Sequence, residues 1–435
     1  MSSGLLDERA RVFPTIDEAI NVTLNVGIVG LGYVGLPTAI ALASRGHRVT
    51  GLDVSEARLA AIRDGAVDLL DSDLELLRQI DTLDLTSDAT DLKACDAIII
   101  AVPTPVDHHL VPDLRALQGA CASVVENACE DQLIIMTSTT YAGSTKDMLT
   151  DPLTERGFSV GEDVFVAFSP ERIDPANVDV HHSEVPRVVG GVSEECSRRA
   201  KGVLGVITPS VHVVSSPEVA EMCKLLENTF RAVNISLANE FAEIAQTLGL
   251  DPMEIIAAAA TKPYGFMPFY PGPGVGGHCI PCDPRYLQWQ MRPLGTPTPV
   301  IDASMTAMSA RPGYVVQRAM EALSDRGKGL RGAKVLVAGI AYKPNVQDVR
   351  ESPSIPILDL LIAKGAEVTY FDPWVDQVHL DSGVMTTETE FRPEEADLVL
   401  VHTLHRDLDV AALEAAPVVL DATYKLDTLT NRVLP

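Results

Sequence analysis

The sequence predicts an α/β protein: two Rossmann-like doubly wound lobes joined by a helical middle domain with a long central helix. Three observations carry the prediction. Short apolar strands alternate with helices near both ends of the chain. A run opened by Pro217 keeps helical apolar spacing with no further proline or glycine until Gly249. A glycine fingerprint, Gly30-Leu31-Gly32-Tyr33-Val34-Gly35, follows the first predicted strand and opens the first helix. At 435 residues the chain exceeds one ordinary core. The expected division is a polar extension over 1–24, a first lobe over 25–215, a helical middle domain over 216–329 and a second lobe over 330–435.

The first lobe reads as strands at 26–29, 49–52, 97–102 and 133–136, with helices at 36–43 and 114–125. Strands that alternate with helices imply a parallel sheet with right-handed crossovers, extended here by 164–167 and 187–189. In the middle domain Val219, Met222, Leu225, Leu226, Phe230, Val233, Ile235 and Leu237 hold helical spacing, and about 30 residues give roughly 45 Å of helix. A second helix begins at Asp251-Pro252, where Asp suits the N-cap and Pro the first turn. The stretch 262–284 is dense in proline and glycine and reads as a binding loop. Strands at 335–338, 368–371, 398–401 and 418–420 with a helix at 355–363 make the second lobe.

A formal net charge of −26 disfavours nucleic acid and anionic lipid as partners, and an anionic ligand would need local cations or N–H groups. No apolar run is long enough to span a bilayer and no signal peptide is evident, so a cytoplasmic enzyme is expected. Seven scattered cysteines argue for reduced thiols over a disulfide framework.

The fingerprint fits a dinucleotide. Gly30 allows the tight turn, Gly32 lets backbone approach a pyrophosphate, and Gly35 allows helix to pack on strand. The helix N-terminus at Tyr33 and Val34 offers N–H groups to the phosphates. Asp53, at the end of the second strand, can accept from both ribose hydroxyls and favours NAD over NADP. The second lobe carries Gly339-Ile340-Ala341-Tyr342-Lys343 in place of a full fingerprint, with Asp372 closing its second strand. Lys343 and Arg350 supply cations there for a pyrophosphate ligand.

The most informative stretch is Gly276-Gly277-His278-Cys279-Ile280-Pro281-Cys282-Asp283. A nicotinamide removes hydride from an alcohol, and a cysteine can trap the resulting carbonyl, so the pair points to oxidation past the aldehyde to an acid. Cys279 and Cys282 also form a Cys-x-x-Cys. A zinc site would need a second Cys or His pair, and none is evident. A thioredoxin-like role would need the motif at a helix start in a different fold, so no metal and no redox use is expected. His278 reads as loop packing.

From about Val26 onward the sequence resembles the UDP-glucose/GDP-mannose dehydrogenase family. The matching motifs are Gly30 to Gly35, Val102-Pro103-Thr104-Pro105, Ser138-Thr139-Thr140-Tyr141, Ser169-Pro170-Glu171-Arg172, Lys224 with Asn228, Gly276 to Asp283, and Ala341-Tyr342-Lys343 with Asp348-Val349-Arg350-Glu351-Ser352-Pro353. Phe269-Tyr270-Pro271-Gly272-Pro273-Gly274-Val275 and the Glu171-Arg172 pair look most like the branch acting on UDP-N-acetylhexosamines. The resemblance implies a UDP-sugar 6-dehydrogenase serving polysaccharide biosynthesis, with the UDP-sugar on the second lobe and NAD on the first. It implies Cys279 as nucleophile, Lys224 and Asn228 at the reacting hydroxyl and oxyanion, Asp283 holding a water or lysine near the thiol, and Glu171 in acid–base work. It places Asp53 and Arg58 on the adenosine side of NAD, Thr104 and Thr139 in the cofactor cleft, and Arg350 on cofactor across a subunit boundary. Glu171, Arg172, Lys224, Asn228, Tyr270, Gly274, Gly276 and Lys343 would contact substrate. The sequence departs from the family pattern at Thr137, Ala142, Cys282 and Asp421-Ala422-Thr423. A UDP-glucose substrate, a two-electron hydroxyacid-type dehydrogenase and a non-catalytic NAD-binding sensor are the competing readings. The apolar face of the long helix and the implied role of Arg350 make a homodimer the expectation.

Overall fold

The computed structural model describes residues 23–435 except 68, 70, 108, 173–184, 209 and 278. The expected 1–24 extension and the reading of His278 therefore lie outside the described residues, save Thr23 and Leu24. Leu24 is buried and already belongs to the first core. The described residues divide into two compact units, and the division falls between Leu226 and Glu227, within one long helix.

The first unit is built on an eight-stranded sheet. Its strands are β1 (Asn25–Val29), β2 (Arg48–Leu52), β3 (Leu83–Thr86), β4 (Ala97–Ile100), β5 (Leu133–Met136), β6 (Phe165–Phe168), β7 (Arg187–Gly191) and β8 (Val211–Val214). They lie in the order β3-β2-β1-β4-β5-β6-β7-β8, the first six in the doubly wound dinucleotide-binding order. Helices α1 (Gly35–Ala43), α2 (Glu56–Arg63), α3 (Asp71–Gln79), α4 (Arg115–Asn127), α5 (Asp151–Glu155) and α6 (Glu194–Ile207) connect them. The central strands β4, β5 and β6 are apolar and buried throughout because both faces are covered. Along β4, Ala97 and Ile99 enter one core and Ile98 and Ile100 the other, the two-residue alternation of a pleated strand. Each such isoleucine contributes about 1.5–3 kcal/mol by leaving water. The extension beyond β5 differs from the expected all-parallel sheet: β7 runs antiparallel to β6, and β8 is parallel to β7.

Helix α7 (Pro217–Thr247) is 31 residues long. It ends where Gly249 takes φ +69°, with the N–H of Leu250 reaching back to the Ala245 carbonyl at 2.8 Å. That is a glycine-dependent helix stop. Then come α8 (Pro252–Ala260), capped by Asp251 through the Met253 N–H, α9 (Asp283–Met291) and α10 (Pro299–Ser324), which runs on through Pro312. The predicted loop therefore stops short of Asp283 and Pro284, which form the first turn of α9.

The second lobe, within the second unit, holds β9 (Lys334–Ala338), α11 (Ser354–Ala363), β10 (Glu367–Phe371), the hairpin β11 (Gln377–Leu380) with β12 (Gly383–Thr386), β13 (Leu398–Val401), β14 (Val419–Asp421) and β15 (Arg432–Val433). The parallel sheet has the order β10-β9-β13-β14-β15. Its faces divide as in the first lobe, with Leu398 and Leu400 on one side and Val399 and Val401 on the other. The fold class expected from the sequence is the one observed.

Candidate active site

In the first unit, the predicted cofactor residues gather at the carboxyl ends of β1, β2, β4 and β5, where doubly wound sheets bind ligands. Gly30 has φ +90°, and a Cβ on it would lie 2.7 Å from the Ala101 carbonyl oxygen. A Cβ on Gly35 would lie 1.8 Å from the Gly30 oxygen, so neither position tolerates a side chain. Gly32 faces open space instead, which is what a phosphate-approach glycine requires. The N-terminus of α1, after Tyr33 and Val34, has no side-chain cap, leaving its N–H groups for an anion.

Asp53 takes the Leu31 N–H on one oxygen and the Ser55 N–H on the other, both at 2.9 Å. The carboxylate is thereby fixed while remaining half-buried, with acceptor capacity left for hydroxyls. Arg58 donates from Nε to the Leu31 carbonyl at 2.9 Å and so braces the glycine loop. Thr104 Oγ1 donates to the Thr139 carbonyl at 2.6 Å, and Ser138 bridges both polar groups of Val102. These residues fit a dinucleotide: open backbone for the phosphates and a positioned acid for the ribose.

Also in this unit, Glu171 places one oxygen on Arg187 at 2.7 Å and takes the Arg172 N–H on the other. Arg172 reaches the Pro186 carbonyl through Nη1. Arg187, at the start of β7, was missed by the sequence reading; a charged residue opening an apolar strand was its only signal. Glu221 was missed too. It is buried on α7 and accepts from the N–H groups of Gly143 and Thr145 and from the hydroxyls of Ser144 and Thr145. That cradle fixes the first turns of α7 against the segment following β5. Lys224, one turn on from Glu221, is half-buried.

In the second unit, Asn228 donates through Nδ2 to Asp283 Oδ2, and both side chains are buried. Asn228 and Lys224 share a face of α7 by their four-residue spacing. The exposed Cys279 precedes α9, its carbonyl accepting from the N–H groups of Cys282 and Asp283 at 3.2 and 2.8 Å. The thiol loop rests on the segment after β9. The Gly277 N–H reaches the Arg350 carbonyl, and a Cβ on Gly276 would strike the Tyr342 Cβ and the Glu351 oxygen at 2.7 and 2.8 Å. Gly274 lies against the Pro353 ring. Two motifs about 70 residues apart in sequence thus form one surface, with Lys343 half-buried and Tyr270 exposed.

Arg350 is exposed and grips Asp348 through Nε and Nη2, which fixes the direction of its guanidinium. Arg311 was missed. Buried on α10, it donates to the Gly272 carbonyl, to Glu243 on α7 and to the Tyr424 hydroxyl, at 2.8–2.9 Å, and so holds the proline-glycine loop. Nothing in its local sequence marks it, because its partners come from three distant segments.

A fingerprint lobe shaped for NAD, a second nucleotide-type lobe and an exposed thiol seated on it define an NAD-dependent dehydrogenase of nucleotide-linked substrates. Comparison with known proteins gives the family. Residues 24–208 match the NAD binding domain of the UDP-glucose/GDP-mannose dehydrogenase family, 218–308 its central domain and 336–428 its UDP binding domain, and the chain belongs to that family. It is a nucleotide-sugar dehydrogenase that uses NAD, and its UDP binding domain supports a UDP-sugar substrate. It is 36% identical to the UDP-N-acetyl-D-glucosamine 6-dehydrogenase of Pseudomonas aeruginosa over 81% of this chain and 83% of that protein. It is 34% identical to the UDP-N-acetyl-D-mannosamine dehydrogenase of Yersinia pestis over 88% and 93%. Among solved structures, the UDP-D-ManNAc dehydrogenase of Pyrococcus horikoshii superposes with a TM-score of 0.85 at 29% identity, covering 94% of this chain and 98% of that one. The UDP-glucose dehydrogenase of Pyrobaculum islandicum gives 0.84 at 27% identity, covering 95% and 97%.

Proposed function

We propose that the chain oxidises the C6 hydroxyl of a UDP-N-acetylhexosamine to the uronate in two NAD-dependent steps, through a covalent adduct on Cys279. The observation that carries the reading is the exposed Cys279 on a glycine loop pinned against Tyr342 and Glu351, four residues before Asp283, which is buried and paired with Asn228. NAD, held by the glycine loop and Asp53, would supply the hydride acceptor for each step. Lys224 assists loss of the C6 hydroxyl proton through water and, with Asn228, stabilises charge on the C6 oxygen, an effect of a few kcal/mol for such donors. Cys279 adds to the aldehyde as a thiohemiacetal, which keeps the reactive carbonyl in place. Loss of the second hydride leaves a thioester, and water hydrolyses it with help from Glu171 or Asp283. Asp53, Arg58, Thr104 and Thr139 hold the cofactor together with the glycine loop, and Arg350 reaches it from a second subunit. Tyr270, Gly274, Gly276, Lys343 and Arg172 line the nucleotide-sugar path.

The relatives named for UDP-N-acetylhexosamines favour that substrate class, while the structural likeness to a UDP-glucose dehydrogenase keeps UDP-glucose as the second reading. A panel of UDP-sugars read by NADH yield separates them, with two NADH per sugar expected for the preferred substrate. Cys279→Ser should abolish uronate formation; uronate at the wild-type rate from that variant would remove the nucleophile assignment.

The α7 stripe supports a homodimer. Val219, Met222, Leu226, Phe230, Leu237, Phe241 and Ile244 are large apolar residues left exposed along one helix, a face that a second copy would cover. Light scattering should give twice the chain mass. The product would be a uronate-bearing UDP-sugar for polysaccharide assembly, made in the cytoplasm; among the described residues no helix is long and apolar enough to cross a membrane.

A further inference from the structure

Cys282 stands at the N-cap of α9, a nine-residue helix with proline in its first turn, and Cys279 stands one turn earlier. The sequence alone gave no reason to expect Cys-Ile-Pro-Cys at a helix start, and that is where it lies. The two thiols differ in their surroundings: Cys279 is exposed and Cys282 is buried. The Cys282 N–H donates to the Cys279 carbonyl at 3.2 Å, which closes the four residues into a turn. A hydrogen-bonded turn brings its end Cα atoms within about 7 Å, and disulfides form at Cα separations of roughly 4.4–6.8 Å. Neither cysteine is in a disulfide.

We propose that Cys279 and Cys282 form a reversible intramolecular disulfide, with Cys279 as the thiol that meets a peroxide and Cys282 as the resolving thiol. The Cys279 thiolate attacks one peroxide oxygen. An S–O bond forms, the O–O bond breaks, and the departing oxygen takes a proton to become water. The Cys282 thiol gives up its proton and attacks the Cys279 sulfur. The S–S bond forms as the S–O bond breaks, and the hydroxyl leaves as a second water. Two thiols are oxidised by two electrons in all, and the peroxide is reduced to two waters. A dithiol reverses the change by exchange.

Three features favour the resolving step at Cys282. A helix N-terminus stabilises negative charge on sulfur at the N-cap. Arg285, in the first turn of α9, carries a buried Nε without a hydrogen-bond acceptor and is attracted by charge on Cys282. Burial shields Cys282 from direct attack by solvent oxidants, so it remains reduced until Cys279 has reacted. At Cys121, where burial acts alone, the thiol is pushed up to about 12, which keeps that sulfur protonated and out of such exchange. The disulfide would stop a sulfenic acid at Cys279 from advancing to the irreversible sulfinic state.

The disulfide stands on geometry alone; its effect on turnover rests on Cys279 as the catalytic nucleophile. The test treats the reduced full-length enzyme with hydrogen peroxide, then measures peptide masses and NADH production before and after dithiothreitol. Expected is a Cys279–Cys282 cross-linked peptide, with loss of turnover that dithiothreitol restores. In Cys282→Ser and Cys282→Ala, peroxide inactivation should become irreversible, with Cys279 recovered as the sulfinic acid. Irreversible loss in the wild type, with sulfinic Cys279 and no cross-link, would overturn the pair and leave the nucleophile reading intact. A cross-link that leaves turnover unchanged would keep the pair and remove the nucleophile reading.

Discussion

The two lobes solve the same turn with opposite treatment of one acid. In each, a glycine with positive φ follows the first strand and abuts the segment leaving the neighbouring parallel strand: Gly30 at the Ala101 carbonyl, Gly339 at that of Thr403. In each, an aspartate closes the second strand and accepts N–H groups from that turn, Asp53 from Leu31 and Asp372 from Ile340 and Ala341. Beyond this point they diverge. Asp53 remains half-buried. Asp372 is sealed by the N–H groups of Trp374 and Val375 and by His405 Nε2 at 3.1 Å. His405 must donate there, because its Nδ1 already accepts from the Asn345 N–H. The second turn is also fastened differently: Ser352 and Ser354 donate their hydroxyls to the Ile340 carbonyl, which ties the turn to the start of α11. A βαβ turn can therefore keep its shape while its acid changes from an available acceptor into an internal fastening.

Exchanging the acids' fates is the strongest way to break this comparison. Asp372→Ala should cost about 3–5 kcal/mol of stability, because His405 and several buried N–H groups lose their acceptor. Denaturant titration measures this, and Asp372→Asn should recover part of it. Asp53→Ala should behave in reverse, with the KM for NAD rising roughly tenfold to a hundredfold, about 1.4–3 kcal/mol, while stability falls by about 1 kcal/mol. If Asp53→Ala mainly unfolds the protein and leaves the KM unchanged, the distinction between the lobes is wrong.

Local chemistry made much of this legible. The strand, the glycine spacing and Asp53 are close in sequence, and steric demands at Gly30 and Gly35 write themselves into residue type. The long helix was legible because its punctuation, Pro217 and Gly249, lies at its ends. Helix α10 went unassigned: a proline inside a helix removes a hydrogen bond and ordinarily ends it, yet the chain continues helically through Pro312. The reversal at β7 was illegible because its buried strand looks the same in either direction. Glu171–Arg187, Glu221 with its cradle and Arg311 with Glu243 join residues 16 to 78 positions apart, and no period or motif records such pairings. Cys282 was visible, but its meaning depended on where α9 begins.

Acid stability offers a finer test of the second lobe. His402 follows β13 and is buried, with Nδ1 at 2.8 Å from Thr403 Oγ1. That hydroxyl spends its hydrogen on the Ala341 carbonyl, so Nδ1 carries the imidazole proton and Nε2 is bare, with no partner. Protonation would place a charge and an unanswered N–H in the core. Burial accordingly lowers the pKa from 6.5 to about 3, against the pull of Asp372 and with a contribution from His405. Because the folded value lies below the unfolded one, the stabilising effect is fully present above pH 6.5 and is lost as pH falls towards 3. Within that window the slope approaches about 1.4 kcal/mol per pH unit for one proton. Asp372 adds to it only at lower pH. Burial disfavours its charged form, but His405 and the Ile340 and Trp374 N–H groups outweigh that and lower its pKa below 3.8. His402→Leu, similar in bulk and unable to titrate, should remove about one proton's worth of slope between pH 6.5 and 4.5. An unchanged slope in that variant would mean that the proton taken up on unfolding belongs elsewhere, with His47 in the first lobe the next candidate, since burial and Arg45 also lower its pKa.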